Sequence, residues 1–549
     1  MSTKLRLLSS LEKVFPEETC PKDELHRGSM LRNEIYSFQV ACTTDKLLNY
    51  TANVTVESPL RDCLTVYTVG CVPSMMPLYP HWHDEDYLKT KPGLFPDVLS
   101  GFSGKFLVTA GYWRSLWIAV EPRGQAKAGV YPIRITFEDP EGGRDSVQFE
   151  LEIIGQDLPE QKLIVTEWVH TDCLANYYKI PVFSEAYWKI VENYLSAAAK
   201  YGMNMVLTPV FTPPLDTKVG GERTTVQLVD VSVKDGTYSF GFSRLARWMD
   251  TAERCGISRF EISHLFTQWG AKAAPKIMAT ADGEYRRIFG WETDASSEEY
   301  TSFLRQFLRS LRAFLQARGM LGKCWFHVSD EPSEEHLENY RRGREIISSE
   351  MPGCPIIDAL SSYKFYETGS VKKPVVSSDH IEPFLEHGVK NLWAYYCCNQ
   401  SVGVSNRFLA MPSYRNRVLG LQLYKFRIEG FLQWGFNFWN NAFSERLIDP
   451  YRVTDGLCSW PSGDPFIVYP GEDGHAVPSL RLLVFNEGLQ DLRALQLLES
   501  LTSYEETLRL LEDGFAEPLR FDRYPKSAFA LLSVRRRVNS RLKELCCGK

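Results

Sequence analysis

The chain contains 549 residues, which is more than one ordinary domain requires and predicts at least two domains. Hydrophobic residues make up 44% of it and charged residues 24%, a composition typical of a folded protein, so wholesale disorder is excluded. Lys and Arg number 62 against 68 for Asp and Glu. The resulting net charge of -6 provides no basic field for nucleic acid or an anionic membrane as partner.

The sequence gives no signal for export or membrane insertion. The N-terminal segment carries charges at Lys4, Arg6, Glu12 and Lys13, and it lacks the apolar core of a secretory signal. No run of about 18 apolar residues predicts a membrane span. The 13 cysteines include two adjacent pairs without the spacing of a zinc or redox motif. We therefore expect reduced thiols in a cytoplasmic protein, with no metal and no cofactor.

The first part of the sequence consists of short β runs separated by turn residues. Several of these runs alternate apolar and polar side chains, as the strands of a sheet with one face in water do. The predicted strands are 50–56, 64–72, 105–110, 115–120, 130–137 and 146–154. The pattern predicts an N-terminal all-β sandwich domain over residues 1–158.

After this part, apolar strand candidates alternate with helical stretches, among them 185–200 and 244–255, which Ser184 and Ser243 are predicted to cap. The strand candidates are 163–169, 203–207, 259–263, 323–328, 355–360, 374–377, 391–396 and 430–436. Eight strands alternating with helices predict an α/β fold, a (β/α)8 TIM-like barrel, at 159–500. The C-terminal residues, 501–549, are predicted to form a helical extension.

In such a barrel the catalytic groups lie at the C-terminal ends of the strands, and these positions are polar and aromatic here. The candidate substrate-binding residues at these ends are Trp168, His170, Asp172, His264, Tyr395, Trp434, Asn437, Trp439 and Asn440, with Asn441 beside them. Each has a structural alternative, because barrel aromatics also fill cores, Asn at strand ends also satisfies turns, and His also forms internal hydrogen bonds. The sequence leaves open whether the loop carrying His81, Trp82 and His83 reaches the barrel mouth.

The pair Asp330-Glu331 is the strongest candidate for catalysis. It follows an apolar β run, 324–328, at the strand end where barrel catalysts lie. Pro332 disfavours the α region for the residue before it, so Glu331 is expected to be extended. The alternative is a helix start, because a Pro followed by Ser333 and acidic residues also suits the first turn of a helix.

Adjacent carboxylates suit one particular kind of glycoside hydrolysis. In the ordinary reaction two carboxyls lie on opposite sides of the scissile bond, about 5 to 9 Å apart. In substrate-assisted hydrolysis of 2-acetamido sugars, the acetamido oxygen attacks C1. One carboxylate then supports the acetamido N–H, and its neighbour protonates the leaving oxygen, so no enzyme nucleophile is needed.

Four segments carry a resemblance to a known family. They are Val328-Ser329-Asp330-Glu331-Pro332, the aromatic segment 430–441, the proline-rich segment 207–214, and 92–97. With these, the sequence resembles glycoside hydrolase family 123, whose members are retaining β-N-acetylgalactosaminidases with an N-terminal β-sandwich and a catalytic barrel. The resemblance covers nearly the whole chain. It implies exo-acting release of terminal β-linked N-acetylgalactosamine from an oligosaccharide or glycoconjugate, through an oxazolinium intermediate.

The resemblance also implies roles for individual residues. Asp330 matches the residue that orients the acetamido group, and Glu331 matches the general acid, which becomes the base when water opens the intermediate. Glu331 is then expected to be protonated before bond cleavage, through burial or through the charge of Asp330. Tyr395 is the candidate for a hydroxyl on the acetamido oxygen, and Trp434 for a ring that walls the pocket.

Other functions remain open at this point. The same machinery serves a β-N-acetylglucosaminidase or another amino-sugar hydrolase, because the two sugars differ only at the C4 hydroxyl. A non-catalytic carbohydrate-binding barrel is expected to have lost one acid of the pair, and both are present. A hydrolase of another bond would use different acids, such as Glu167, Glu261 or Asp379.

Overall fold

Ten strands make up the N-terminal region. The structure is a computed structural model that describes residues 3–547, with side chains up to Leu545. The strands are β1 (Thr3–Ser9), β2 (Arg27–Leu31), β3 (Tyr36–Thr44), β4 (Tyr50–Glu57), β5 (Leu64–Ser74), β6 (Gly93–Gly101), β7 (Lys105–Val108), β8 (Arg114–Val120), β9 (Gly129–Glu138) and β10 (Arg144–Ile154). The sequence patterns miss β1, β2, β3 and β6. Strand β3 is buried along nearly its whole length and does not alternate, and β2 has only 5 residues.

These strands form two sheets that face each other across one hydrophobic core. The first sheet has the order β1-β3-β8-β5-β6, and the second has the order β2-β10-β9-β4-β7. The core between them contains side chains from both sheets, and the rings of Phe38 and Phe149 stack across it at 4.1 Å. The expected N-terminal β region is therefore present.

The rest of the chain alternates strands and helices. The strands are β11 (Ile164–Glu167), β12 (Met205–Thr208), β13 (Asp230–Lys234), β14 (Thr237–Gly241), β15 (Arg259–Ile262), β16 (Ile277–Ala281), β17 (Glu284–Phe289), β18 (Cys324–Phe326), β19 (Ile357–Leu360), β20 (Lys373–Ser377), β21 (Trp393–Tyr395), β22 (Gly430–Gln433), β23 (Val468–Pro470) and β24 (Ala476–Pro478). The helices are α1 (Thr171–Tyr178), α2 (Glu185–Lys200), α3 (Ser243–Arg254), α4 (Glu298–Ala317), α5 (Leu337–Glu350), α6 (Lys364–Glu367), α7 (Glu382–Glu386), α8 (Ser413–Arg417), α9 (Leu419–Lys425), α10 (Leu480–Leu501), α11 (Tyr504–Glu512) and α12 (Ala528–Cys547).

Eight of these strands form a nearly closed parallel barrel. Their order is β18-β15-β12-β11-β22-β21-β20-β19, and every neighbouring pair is parallel. A single parallel bridge between Phe326 and Ile356 joins the two end strands. All eight predicted barrel strands are present, in sequence order around the barrel. Because the strands are parallel, their C-terminal ends meet at one mouth.

Two insertions at the mouth are absent from the sequence prediction. Strands β13 and β14 follow β12, and β16 and β17 follow β15; together they form a sheet with the order β14-β13-β16-β17. These strands have only 5 or 6 residues each. Strand runs this short carry little periodicity, and the sequence therefore gives no signal for a separate sheet.

The predicted helix starts have different outcomes. Ser184 Oγ accepts a 3.2 Å bond from Tyr187 N and caps α2, as predicted. Ser243 is instead the first residue of α3, and the N-cap residue is Phe242, which makes no side-chain capping bond. After Pro332, Ser333 precedes a 3-10 helical turn at Glu334–His336, and α5 follows directly from Leu337.

Helix α10 ties the barrel to the N-terminal sheets. Arg481 of α10 and Asp97 of β6 form two 2.8 Å bonds, and both side chains are buried. The Tyr469 hydroxyl donates to Asp97 as well, at 2.6 Å. None of the described helices is long and apolar enough to span a membrane. All eleven cysteines whose side chains are described are free thiols.

Candidate active site

Asp330 and Glu331 lie in the loop that follows β18, at the barrel mouth. Asp330 is 7% exposed, and its Oδ2 accepts a 2.7 Å hydrogen bond from Gln268 Nε2. The backbone N–H of Trp269 donates to the Asp330 carbonyl at 3.2 Å. Glu331 is half-buried, and its Oε1 accepts a 2.8 Å bond from the hydroxyl of Tyr395, the last residue of β21. The loop after β15 thus holds one carboxyl, and the end of β21 holds the other.

The backbone of Glu331 is not extended, contrary to the expectation from the sequence. Its φ is +44°, in the left-handed region. Pro332 disfavours only the right-handed α conformation, and contacts on both sides of Glu331, to the Asp330 carbonyl and to its own carboxyl, hold the left-handed one. A residue other than glycine is strained in this region, and such strain is concentrated at functional sites.

Burial raises the pKa of both carboxyl groups. The pKa of Asp330 lies well above its ordinary value, because the side chain is buried and because the ionised form of Glu331 would add a second negative charge. The pKa of Glu331 is raised by burial and by the charge of Asp379, while the hydrogen bond from Tyr395 opposes the rise. Burial therefore disfavours two charges on this pair of carboxyls and favours a proton on at least one of them.

Three residues before Asp330, a buried histidine joins two buried acids. Nε2 of His327 lies 2.6 Å from Glu261 Oε1, and Nδ1 lies 3.1 Å from Asp358 Oδ1. Burial by itself lowers the pKa of His327, but the hydrogen bonds to Asp358 and Glu261 raise it to about 10. Trp168, a candidate substrate residue, donates its indole N–H to Glu261 at 2.8 Å and is 2% exposed. Its polar atom is therefore occupied within this network.

His264 lies beside the same network. Its ring stacks on that of His327 with centroids 4.1 Å apart, and it is 1% exposed. Neither of its nitrogens has a hydrogen-bond partner among the residues that the structure describes. Burial and the charge of His327 hold the pKa of His264 well below its ordinary value. His264 is thus a neutral, buried ring with unused polar atoms.

The same residues have to be considered as a metal site. His264, His327 and Asp358 place ligand-type atoms within 4.8 Å of one another. However, both nitrogens of His327 are already engaged with carboxylates. A metal ion would have to break one of these bonds, so the three residues fit an internal ion network better than a metal centre.

Trp434 lies half-buried at the end of β22, in a cluster of aromatic rings. Its ring centroid is 5.0 Å from that of Phe438 and 5.2 Å from that of Trp460. Its indole N–H donates to Asp464 at 2.9 Å. Burial raises the pKa of Asp464 to about 7. Trp434 thus contacts Trp460 and Asp464, which the sequence analysis does not identify.

His170 and Asp172 have internal partners. Asp172 forms a buried, two-bond ion pair with Arg223, at 2.7 and 2.8 Å. Nε2 of His170 lies 2.7 Å from the Trp434 carbonyl, and its Nδ1 lies 3.1 Å from Arg223. Burial and the charge of Arg223 lower the pKa of His170 to about 3. These are the internal hydrogen bonds that the sequence analysis names as the alternative to substrate contact. They orient the loop below Trp434.

The candidate residues after β22 also have internal contacts. The amide of Asn437 exchanges two bonds with the backbone of His170, at 2.8 and 3.1 Å. Trp439 is fully buried, and Asn440 Nδ2 lies 3.5 Å from the Cys173 sulfur. Asn441 Oδ1 accepts from the Arg446 backbone. The amide bonds and the buried ring account for all four residues without a ligand.

The other acids considered from the sequence are engaged within the protein. Glu167 is buried and paired with Arg407 at 2.8 Å. Glu261 belongs to the His327 network described above. Asp379 accepts a 3.0 Å bond from Gln400 and adds negative charge near Glu331. A catalytic role for Glu167 or Glu261 in place of Asp330 would require these buried ion pairs to break.

A loop of the N-terminal region reaches the barrel beside the site. Ser401, six residues after Tyr395, donates its hydroxyl to the Trp82 carbonyl at 2.9 Å. Asp84 pairs with Arg415 through bonds of 2.9 Å. The loop that carries His81, Trp82 and His83 is therefore anchored on the segment after β21. Trp82 itself is 62% exposed.

Two aromatic side chains are exposed next to Asp330 and Glu331. Trp269 is 39% exposed and Phe443 is 47% exposed, and their rings meet edge to face at 6.2 Å. Trp269 adjoins Gln268, the residue that binds Asp330. The backbone N–H of Phe443 donates to Asp216 at 3.0 Å, and this bond fixes the position of Phe443. Exposed rings beside a polar site suit the apolar faces of a sugar.

Comparisons with known proteins agree with this geometry. The catalytic-domain model of glycoside hydrolase family 123 matches residues 168–498. A family 123 glycoside hydrolase from Clostridium perfringens, solved to explain glycolipid glycan hydrolysis, aligns with a TM-score of 0.75 and 16% identity over 100% of this chain and 98% of that one. A GH5 xyloglucanase from Bacteroides ovatus aligns with a TM-score of only 0.32 and 7% identity, over 84% of this chain and 98% of that one. No curated protein matches the sequence.

The family match covers more than half of the chain, and the residues matched include both acids of the pair together with Tyr395 and Trp434. The similarity to the Clostridium perfringens structure extends over the whole length and so includes the N-terminal sheets. The chain therefore belongs to glycoside hydrolase family 123 and is a glycoside hydrolase.

Proposed function

We propose that the enzyme is a retaining exo-hydrolase that releases terminal β-linked N-acetylgalactosamine with the help of the substrate's acetamido group. The observation that carries the proposal is the juxtaposition of Asp330 and Glu331 at the barrel mouth, each held by its own hydrogen bond from a different part of the barrel. Sequence neighbours suit an acetamido nucleophile better than an enzyme nucleophile on the opposite face of the sugar.

In the first step the carboxyl proton of Glu331 passes to the glycosidic oxygen while the bond from that oxygen to C1 breaks. The acetamido oxygen forms a new bond to C1, which gives the oxazolinium ion. Asp330, as a carboxylate, accepts a hydrogen bond from the acetamido N–H and stabilises the positive charge that develops there. In the second step Glu331 takes a proton from water, which attacks C1 and opens the ring. Two inversions at C1 amount to retention.

We assign Tyr395 and Trp434 to binding of the acetamido sugar. The Tyr395 hydroxyl lies 2.8 Å from the acid and is the candidate donor to the acetamido oxygen once substrate is present. Trp434 offers an indole ring whose N–H is held by Asp464, so the ring orientation is fixed before substrate arrives. A fixed wall reduces the entropy lost on binding.

The proposal includes the finer description of the fold. We take the barrel as a TIM-type (β/α)8 barrel at 159–500, with an N-terminal β-sandwich domain at 1–158 and a helical extension at 501–549. Within this arrangement the sandwich loop carrying Trp82 accepts a hydrogen bond from the segment after Tyr395 and supports it. Its contribution to the site is support for that segment.

The exposed pair Trp269 and Phe443 suggests what the leaving group is. A pocket that admits one terminal sugar leaves the next unit of the glycan at the rim, where these rings lie. Stacking on a pyranose face favours a sugar as the leaving group. We therefore propose an oligosaccharide or the glycan of a glycoconjugate as the natural substrate, in keeping with the glycolipid glycans named for the Clostridium perfringens relative.

Paired 4-nitrophenyl glycosides test the proposal. Wild type and Asp330→Asn are compared on the β-N-acetylgalactosaminide, the β-N-acetylglucosaminide and the β-galactoside, which lacks the acetamido group. We expect hydrolysis of the N-acetylgalactosaminide, none of the galactoside, and a large loss in the variant. Preference for the N-acetylglucosaminide would change the sugar assigned to the enzyme and leave the proposed mechanism unchanged. Equal activity on the galactoside would refute substrate assistance.

A further inference from the structure

The carboxyl group of Asp330 contacts an amide whose orientation is fixed. Gln268 Nε2 donates to Asp330 Oδ2 at 2.7 Å, and Gln268 Oε1 accepts a 2.7 Å bond from the backbone N–H of Asp216. Because a backbone N–H can only donate, the amide oxygen must face Asp216, and the amide NH₂ must face Asp330. Gln268 therefore presents a donor to Asp330, and Oδ2 of Asp330 is always an acceptor.

Asp216, the other partner of Gln268, is itself held by the loop after β22. Its Oδ2 accepts a bond from the Phe443 N–H at 3.0 Å, and its backbone carbonyl accepts a bond from the Ser444 hydroxyl at 2.7 Å. The loops after β12, β15 and β22 thus meet in one chain of hydrogen bonds that ends on Asp330.

The backbone is strained at several points along this junction of loops. The residues with φ between +41° and +61° are Asp216, Trp269, Glu331, Phe443 and Ser444. Each residue of this kind costs about 1–3 kcal/mol, and the strain persists only where surrounding contacts hold it. Strain that is concentrated in this way is typical of a functional site.

We propose that Gln268 is a positioning residue that holds Oδ2 of Asp330 and so leaves Oδ1 to accept the acetamido N–H of the substrate. The inference rests on the proposed function, because substrate assistance gives Asp330 that partner. Among the residues that the structure describes, none donates a hydrogen bond to Oδ1 of Asp330, so this oxygen is available.

An aspartate needs a partner of this kind to have a fixed direction. The torsion that rotates its carboxylate is broad, so without a partner the two oxygens take many directions. A donor that is itself fixed removes this freedom before substrate binds, and a small misplacement of a catalytic group is costly in rate. Gln268 should therefore affect the chemical step more than it affects binding.

The orientation of Asp330 can be measured without substrate. In crystal structures of the free enzyme, we expect one carboxylate orientation in the wild type, with Oδ2 on Gln268. In Gln268→Met, which has a similar size but lacks the donor, the carboxylate should rotate or occupy two orientations. A carboxylate that keeps its wild-type orientation in Gln268→Met would overturn the proposal.

A double-mutant cycle tests whether Gln268 acts through Asp330. On 2,4-dinitrophenyl β-N-acetylgalactosaminide, Gln268→Met should lower kcat by about 10- to 100-fold and change KM by less than about 3-fold. In an Asp330→Ala background the same substitution should change kcat by less than about 3-fold, because the group that Gln268 positions is gone. Equal losses in the two backgrounds would refute a role through Asp330.

Gln227→Met is the matched control. Gln227 is a buried glutamine of the loop after β12, and its amide makes three hydrogen bonds to the backbone and none to Asp330. Its replacement should lower the free energy of unfolding at least as much as Gln268→Met does, but should change kcat by less than about 3-fold. A loss of kcat equal to that of Gln268→Met would assign the effect to loosened loops and would contradict the proposal.

Gln268→Glu keeps the shape of the side chain and gives a second test if Gln268→Met does not fold. One carboxylate oxygen can still accept from Asp216, while the other faces Asp330 as an acceptor. Two carboxyls in contact favour a shared proton, so the ascending limb of kcat/KM should move to higher pH by about one unit or more. An unchanged pH profile in this variant would show that Gln268 does not contact Asp330 in the working enzyme.

Failure of the proposed function gives a different pattern. If the wild type hydrolyses no acetamido sugar, or hydrolyses the galactoside equally well, substrate assistance is wrong, while the crystal structures still decide whether Gln268 orients Asp330. If the wild type requires the acetamido group and the losses from Gln268→Met and Asp330→Ala are additive, the inference about Gln268 is wrong and the proposed function stands.

Discussion

The hydroxyl of Tyr395 donates a 2.8 Å hydrogen bond to Oε1 of Glu331, which connects the end of β21 with the loop after β18. This bond favours the ionised carboxylate and opposes the burial that raises the pKa of Glu331. In the enzyme without substrate, Tyr395 therefore limits the rise in the pKa of Glu331. In the proposed complex the same hydroxyl is available to the acetamido oxygen, so it links acid strength to the arrival of substrate.

Replacing Tyr395 with phenylalanine should change both rate and pH dependence. Loss of the bond raises the pKa of Glu331 further, so the acid stays protonated to higher pH and the descending limb of kcat/KM moves upward. Loss of the donor to the acetamido oxygen should lower kcat by about 10- to 1000-fold. A pH–rate profile measures both. A descending limb that moves to lower pH would contradict this account of Tyr395.

Glu331→Gln should abolish acid catalysis and leave the acetamido nucleophile intact. We expect kcat on an unactivated disaccharide to fall by about 100- to 10000-fold, with a smaller loss on a 2,4-dinitrophenyl glycoside, whose leaving group needs no proton. Added azide should then restore turnover and give the β-glycosyl azide. Glu335→Gln, which changes an exposed carboxyl four residues on, is the control and should be close to wild type. Equal losses on both leaving groups would assign Glu331 another role.

Trp269→Ala should lower kcat/KM only for substrates whose leaving group is a sugar. The loss of one stacked ring contact, about 0.5–1.5 kcal/mol, corresponds to a decrease in kcat/KM of about 2- to 10-fold. A trifluoroethyl glycoside, whose leaving group has no ring, should be unaffected. Tyr112→Ala removes a ring of similar exposure, 51%, in the turn between β7 and β8 of the N-terminal region and serves as the control. Equal effects on both substrates would place Trp269 outside the leaving-group site.

Asp97→Ala should strongly destabilise the fold. It leaves the guanidinium of Arg481 buried without its partner, which costs about 3–5 kcal/mol in the free energy of unfolding. Glu138→Ala breaks an exposed pair with Arg144 and should cost about 0–1 kcal/mol. Urea denaturation followed by circular dichroism compares the two. A loss below about 1 kcal/mol in Asp97→Ala would show that the two-bond pair does not anchor α10.

The parts of the site that the sequence predicts are those that follow a strand directly. Asp330, Tyr395 and Trp434 lie at or just beyond the ends of β18, β21 and β22, where the topology of a parallel barrel brings side chains together. The apolar runs of the eight strands are long enough to recognise without knowledge of their neighbours. The barrel strands and the candidate pair Asp330-Glu331 can therefore be inferred from local patterns.

The rest depends on contacts between distant parts of the chain. Gln268 and Asp464 lie in loops, and their relation to Asp330 and Trp434 arises only when these loops fold. The ion pair of Asp172 with Arg223 joins residues 51 positions apart, so no local pattern predicts it. The left-handed backbone of Glu331 likewise depends on tertiary contacts and not on the proline that follows it.

The most direct test of substrate assistance is a series of 4-nitrophenyl β-N-acetylgalactosaminides with mono-, di- and trifluorinated acetyl groups. Each fluorine withdraws electrons from the acetamido oxygen and makes it a poorer nucleophile, while the leaving group is unchanged. If that oxygen attacks C1, kcat/KM should decline steeply along the series, and Asp330→Asn should be slow throughout. A rate that is independent of fluorine content would show that the acetamido group is not the nucleophile, and would contradict the roles given to Asp330 and Glu331.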